Sequence, residues 1–189
     1  MIMNFLSLTH NRLLVVLAIG LTLLINNAIA EERDPGGIAS GAVGTQILSS
    51  YSGSYALLIG ESQYTNGWAN LESIPSELRG VKKVLQSQGF KVEMSLNLNT
   101  ENFTKRFNQF INQYGFEENN RLLFFYSGHG YTRKDKGYIV PVDAANPNFD
   151  EMAFLQKAVG MAQITTWVRK IEAKHGLCCI NHKYFLIIS

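Results

Sequence analysis

The feature that most constrains the fold is an uncharged stretch that ends in one histidine between two glycines. Residues 122–127 read Leu-Leu-Phe-Phe-Tyr-Ser, and Gly128-His129-Gly130 follow directly. Six uncharged, mostly apolar residues predict a strand buried on both faces, as in a parallel sheet. Ligands of open α/β sheets bind at the C-terminal strand ends, and histidine is well suited to move a proton near neutral pH. His129 is therefore a candidate catalytic residue, with a core histidine as the alternative.

Composition indicates one globular domain with an additional segment. The chain has 189 residues, of which 46% are hydrophobic and 17% charged, proportions typical of a domain that buries a core. The net charge is only +2, and the basic residues are scattered along the chain. This pattern gives no electrostatic footprint for nucleic acid, so we expect no nucleic-acid partner.

The N-terminus has the features of a secretory signal. Arg12 precedes an apolar run over residues 13–25, and Ala28-Ile29-Ala30 offers a small-residue cleavage site. We predict a signal peptide over 1–30 that exports the chain to the periplasm or outside the cell. An uncleaved signal that anchors the chain in a membrane is the alternative. Residues 31–52, rich in Gly, Ser and Ala, predict a flexible linker, and the domain itself is expected over 53–189.

The two cysteines are adjacent, at Cys178 and Cys179. Neighbouring cysteines rarely bond to each other because the geometry is strained, so we expect no disulfide framework. Cys178-Cys179-x-x-His182 is one short cluster without the second half of a zinc site, and we expect no metal there.

Strands and helices alternate along the rest of the chain, which favours a parallel sheet with helices on both faces. The predicted helices begin near Pro75, with Gly89 as C-cap, and at Thr100, which we expect to act as N-cap. A third helix is predicted from the spacing of Ile164, Trp167, Val168 and Ile171. The predicted extended segments are 56–59, 90–94, 121–127 and 137–143.

Three motifs resemble those of one family when they are taken in order. Ala56-Leu-Leu-Ile-Gly60, Tyr126-Ser-Gly-His-Gly130 and Gly137-Tyr-Ile-Val-Pro-Val-Asp143 resemble the caspase and metacaspase peptidases, and more closely their bacterial caspase-like branch. The resemblance covers about 53–175, where Ile171-Glu-Ala-Lys-His175 is similar to the helix end before the nucleophile strand. It implies a three-layer α/β/α caspase-like fold with a mostly parallel sheet, from which the C-terminal part is missing.

The resemblance also implies a function, that of a cysteine endopeptidase acting through a His/Cys dyad. A histidine matching His129 is the general base, and the amide of a glycine matching Gly130 helps to hold the oxyanion. The implied partner is a polypeptide substrate, cut after Lys or Arg in metacaspase-like members, and no cofactor is required. Some metacaspases bind calcium, for which Asp143, Asp150 and Glu151 are candidates. A solvated acidic loop is the alternative.

The nucleophile of that family is hard to find in this chain. Counted from His175, its place falls on Lys183 and that of the pocket acid on Asn181. Cys178 and Cys179 fall where the buried middle of the strand is expected, so they are poor substitutes. We therefore expect a caspase-like endopeptidase domain that is inactive as written. The alternatives are a secreted pseudopeptidase that binds peptides or another peptidase, and the non-folding product of a frameshifted gene.

Two polar segments and one histidine have open interpretations. The loop that carries Tyr64 and Trp68 could line a substrate cleft, or Trp68 could cover the core. Residues 133–136 predict a solvated turn, with a cleavage or substrate-contact loop as the alternative. His175 is expected at a helix C-terminus, where its charge would favour the dipole.

Overall fold

A computed structural model describes residues 51–180 and the strand backbone of 187–188. The predicted signal peptide, nearly all of the predicted linker, and Asn181, His182 and Lys183 lie outside these residues. Within the part of the chain that is described, no helix is long and apolar enough to cross a membrane.

The main sheet has five strands in the order β2-β1-β3-β7-β8. The four strands β1, β2, β3 and β7 run parallel to one another, and β8 pairs with β7 in the antiparallel direction. A smaller antiparallel sheet has the order β4-β5-β6. The strands are β1 Gly53–Gly60, β2 Lys91–Leu96, β3 Asn120–Ser127, β4 Gly130–Arg133, β5 Lys136–Ile139, β6 Val159–Gly160, β7 His175–Ile180 and β8 Ile187–Ile188. The helices are α1 Ile74–Ser87, α2 Thr100–Tyr114, α3 Glu151–Lys157 and α4 Met161–Val168.

Helices cover both faces of the parallel sheet. Successive strand residues point to opposite faces, and one face of β1 and β3 packs against the apolar sides of α2 and α4. The other face of β1 includes Gly60, at which a Cβ would meet Ile74 and Leu78 of α1 at 2.8 Å. The chain therefore has the expected three-layer α/β/α architecture.

β3 is the central strand and is buried along its whole length. It pairs with β1 on one side and β7 on the other, which explains why its sequence is apolar without alternation. The strand predicted over 121–127 is confirmed, and His129 lies just beyond its C-terminal end.

The segment after His129 forms a hairpin. β4 and β5 are joined by Lys134 and Asp135, whose φ angles of 45° and 64° are typical of a two-residue turn of the primed type. Both residues are exposed. The predicted turn at 133–136 is confirmed, and the extended segment predicted at 137–143 is β5 over its first residues.

The predicted cap of α2 is wrong by one residue. Asn99, in extended conformation, is the N-cap and accepts a hydrogen bond from the Asn102 amide. Thr100 is the first helical residue, and both its amide and its hydroxyl donate to Asp143 at 2.8 Å. A similar offset occurs at α1, where Gln88 is the C-cap and Gly89 follows with φ of 82°.

The last predicted helix is shorter than its apolar spacing suggests. α4 ends at Val168, and Ile171 packs against the core from the segment that follows. The amides of Glu172 and Ala173 donate to the Gly115 carbonyl, which leads the chain into a strand. His175 is consequently the first residue of β7, paired with Arg121, and its expected place at a helix C-terminus is wrong.

Candidate active site

The C-terminal ends of β1 and β3 are joined at the edge where His129 lies. The Glu61 amide donates to the Ser127 carbonyl at 2.9 Å, which extends the pairing one residue beyond β1. The chain then enters the β1–α1 loop, residues 61–73, while β3 turns through Gly128 to His129. The loop and the histidine are therefore neighbours because their strands are neighbours.

Two tyrosine hydroxyls hold the main chain of His129. The His129 amide donates to the Tyr64 hydroxyl at 2.8 Å, and the Tyr126 hydroxyl lies 3.1 Å from the His129 carbonyl and 3.1 Å from that of Val140. Burial raises the pKa of Tyr64 to about 12 and that of Tyr126 well above its usual value. Both phenols therefore keep their protons at neutral pH.

Gly128 is required by the approach of these hydroxyls. A Cβ there would lie 2.4 Å from the Tyr126 hydroxyl and 2.9 Å from that of Tyr64. Both distances are too short for a real carbon atom, and a fully buried phenol such as Tyr126 has little room to move.

The imidazole of His129 is held by the same loop. Its ring centroid lies 4.7 Å from that of Tyr64 and 4.9 Å from that of Trp68, and Nε2 lies 2.8 Å from the Ala69 carbonyl oxygen. Because a carbonyl only accepts, this hydrogen bond requires the proton on Nε2. A neutral imidazole then carries its lone pair on Nδ1, which is the nitrogen able to take a proton.

The contacts of Trp68 favour the interpretation in which it covers the core. The indole is half-buried, and it contacts Phe154 as well as the histidine ring. Trp68 thus covers a small aromatic cluster and forms part of the wall around His129.

The β1–α1 loop is fixed by asparagines. Asn97, with φ of 57°, accepts hydrogen bonds from the Ser62 amide, the Ser62 hydroxyl and the Gln63 amide. The Tyr64 amide donates to Asn70 at 2.9 Å, and Asn66 donates to the Asp143 carbonyl. A loop with this many side-chain bonds can hold its aromatic residues in one place.

Gly130 presents its amide away from the hairpin. The Val140 amide donates to the His129 carbonyl at 3.2 Å, while the His129 amide donates to Tyr64, so His129 and Val140 share one hydrogen bond at a hydrogen-bonded position of the antiparallel ladder. Such pairs alternate with non-hydrogen-bonded ones, so the next pair, Gly130 and Ile139, has its amides directed outward. The main-chain donor beside His129 therefore points away from β5.

A cavity of about 690 Å³ lies beside Gly130. Its lining is largely aromatic or apolar and comes from β3, the hairpin, the start of α4 and the end of β7; it includes Tyr126, Tyr131, Tyr138, Met161 and Ile180. The cavity is thus bordered both by the strand that leads to the histidine and by β7.

The two cysteines lie within β7, as the sequence predicted. Cys178 pairs with Phe124, and Cys179 with Phe125. β3 continues for two residues after Phe125, or about 7 Å at the rise of a strand, before the chain turns to His129. Burial raises the pKa of the Cys178 thiol to about 12, with a contribution from Cys179, and that of Cys179 to about 11. Burial therefore disfavours the thiolate at both positions, which lie within the strand and away from the histidine edge.

Comparison with known proteins identifies the family. Residues 54–166 match a family model described as the caspase domain, and this match covers more than half of the chain. The chain belongs to the caspase family. A search among curated proteins returned no match. The matched residues run from β1 into α4 and include both His129 and Gly130, so the resemblance of the sequence motifs to caspase-like peptidases is confirmed.

The acidic residues considered for a calcium site in this caspase-family chain are engaged separately. Partial burial opposes ionisation of Asp143, but hydrogen bonds from Thr100 and Lys157 lower its pKa below the usual value; Lys157 Nζ lies 3.2 Å from Asp143 Oδ2. Asp150 caps α3, and Glu151 forms an ion pair with Arg133. Among the described residues, no three metal-ligating side chains cluster together.

Glu61 is the site residue that sequence reasoning missed. It is fully buried, and neither carboxylate oxygen has a hydrogen-bond partner of normal geometry among the residues that the structure describes. Burial raises its pKa from 4.5 to about 9, the nearby Leu98 amide lowers it somewhat, and Asp143 raises it further. The available signal was its position directly after the buried strand β1, at a place where alternation directs the side chain to the α2 face.

Proposed function

We propose that this domain has the design of a caspase-like cysteine endopeptidase, with His129 as the general base of a His/Cys dyad. The observation that carries the proposal is the hydrogen bond from Nε2 to the Ala69 carbonyl, which leaves Nδ1 as the proton acceptor. A half-buried histidine held in one tautomer at the end of a central strand is suited to activate a thiol.

The reaction needs three contributions from the site. Nδ1 of His129 takes the thiol proton, the thiolate attacks the scissile carbonyl carbon, and the outward amide of Gly130 donates to the oxyanion. The imidazolium then returns the proton to the leaving amine as the peptide C–N bond breaks. Water hydrolyses the acyl-enzyme in the second half of the cycle.

The chain as written is expected to bind peptides without cleaving them. Cys178 is buried and Cys179 partly buried within β7, and burial raises the pKa of both thiols, so neither is expected to supply a thiolate beside His129. A non-catalytic peptide-binding module is therefore the second candidate, favoured by the cavity beside Gly130 together with these buried thiols. Its ligand would be a polypeptide or another peptidase.

A gain-of-function variant tests the dyad. Lys183→Cys places a thiol where the family resemblance puts the nucleophile, and Cys178→Ala with Cys179→Ala removes the others. We expect a peptide chloromethyl ketone ending in lysine to alkylate this variant at least tenfold faster than a matched Ser189→Cys control. Adding His129→Ala should abolish the advantage. Equal rates in all three proteins would contradict the dyad.

Turnover by the unaltered chain separates the two candidates. We expect fluorogenic peptides ending in Lys or Arg to remain uncleaved, while the same peptides quench Trp68 fluorescence in a saturable manner. Cleavage that disappears in both His129→Ala and Cys179→Ala would contradict the non-catalytic state.

We further propose export through residues 1–30. N-terminal sequencing of the protein recovered outside the cytoplasm should begin at Glu31. A mature protein that keeps its apolar run and stays in the membrane fraction would indicate the anchored alternative.

A further inference from the structure

Tyr64 contacts both the main chain and the ring of His129. Its hydroxyl accepts the His129 amide proton at 2.8 Å, and its ring lies 4.7 Å from the imidazole at an interplanar angle of 56°. The first contact restrains the main chain, and the second restrains rotation of the ring.

Trp68 completes the restraint from the same loop. Its ring lies 4.9 Å from the imidazole and is tilted by only 31°, a geometry close to stacking. The residue after it, Ala69, holds Nε2 by its carbonyl oxygen at 2.8 Å. Three residues of one loop thus surround the histidine, and that loop is itself fixed by Asn70 and Asn97.

We propose that Tyr64 and Trp68 are positioning residues for His129, which hold its imidazole with Nε2 on the Ala69 carbonyl and Nδ1 available for proton transfer. Neither residue has an atom that reacts. The use of the restraint in catalysis rests on the proposed function, whereas the restraint itself concerns only the placement of one ring.

The hydroxyl and the ring of Tyr64 can be tested separately. Tyr64→Phe removes the acceptor for the His129 amide and keeps the aromatic face, while Tyr64→Leu removes both. Tyr138→Phe is the matched control, because this tyrosine lies on β5 and contacts Phe154. NMR spectra of the full-length chain with labelled histidine report on His129 directly, and His129→Gln identifies its signals among the four histidines.

We expect each variant to change a different signal. In Tyr64→Phe, hydrogen exchange at the His129 amide should accelerate at least tenfold. The chemical shifts of the imidazole protons should stay within about 0.1 ppm of those of the unaltered chain, which is the usual scatter between variants. In Tyr64→Leu, the ring-current displacement of those protons should decrease and the ring nitrogen shifts should move toward a mixture of tautomers. Tyr138→Phe should change neither signal.

Trp68 provides a second test if Tyr64→Leu does not fold. Trp68→Phe should keep most of the indole's contribution to the ring-current displacement, and Trp68→Leu should lose that contribution, which makes the conservative variant a rescue. A folded Tyr64→Leu or Trp68→Leu protein with unchanged imidazole proton and nitrogen shifts would overturn the proposal. These signals do not depend on peptidase activity, so a failed dyad in the alkylation assay and a failed restraint would be told apart.

Discussion

β3 and β7 are neighbours in one parallel sheet, but their reactive side chains differ in position relative to the end of the strand. β3 is buried over all eight residues, and its histidine comes two residues after the strand, where a loop can reach both its main chain and its ring. β7 carries its thiols inside the strand, where burial keeps them protonated. A reactive group in a parallel sheet therefore has to lie beyond the strand end, because the interior of the sheet disfavours the charged form.

Truncation of a buried side chain should destabilise the protein far more in β3 than in β7. Phe124 is 5% exposed and meets Phe107 edge to face at 4.7 Å. We expect Phe124→Ala to lower the free energy of unfolding by about 3–5 kcal/mol. Cys178→Ala, at the position paired with Phe124, removes one sulfur atom and should lower it by about 1 kcal/mol. Urea denaturation of both variants measures the difference, and equal losses would mean that β7 is as tightly packed as β3.

The thiols of β7 should react slowly in the folded chain. With the pKa of Cys178 raised from 9.0 to about 12 and that of Cys179 to about 11, the thiolate fraction at pH 8 falls by about 10³ and 10² respectively. We expect iodoacetamide to modify the native protein slower by these factors than the protein in urea. Rapid alkylation of native Cys179 would show that this thiol is accessible and reactive, as we expect of the group at the end of β3, and would contradict the prediction.

Stability at the histidine edge should depend on pH through Glu61. The pKa of this carboxyl is raised from 4.5 to about 9 in the folded chain, so between these values the folded state holds a proton that the unfolded state has released. The contribution of Glu61 to stability is therefore complete below pH 4.5 and falls as pH rises from there toward 9, by up to about 1.4 kcal/mol per pH unit. Glu61→Gln should remove this slope in urea denaturation between pH 5 and 8, whereas Glu72→Gln, exposed in the same loop, should keep it. A slope that survives in Glu61→Gln would show that another group carries it.

The sequence predicted β1, β3 and the apolar face of α2 well because the buried residues of these elements form a regular apolar pattern. Asn99 and Thr100 are both capable N-caps, and the choice between them depends on Asp143, which lies 43 positions away in the chain from Thr100. Ile171 continues the apolar period of α4 outside the helix, since core contact does not require helical backbone. The restraint on His129 was beyond reach for the same reason, because Tyr64 meets it only across the ends of two strands.

The smallest effect is expected in the hairpin that carries Gly130. Asp135 has a φ of 64°, a conformation that disfavours a side chain and that glycine adopts readily. Asp135→Gly should therefore raise the free energy of unfolding by about 0.5–1 kcal/mol, or the melting temperature by about 1–4 °C for a chain of this length. Lys136→Gly is the control, because residue 136 is in a strand, where glycine should destabilise by a similar amount. If both variants shift the melting temperature in the same direction, the conformation of the turn does not determine the stability of this hairpin. The order around His129 would then depend on the loop that carries Tyr64.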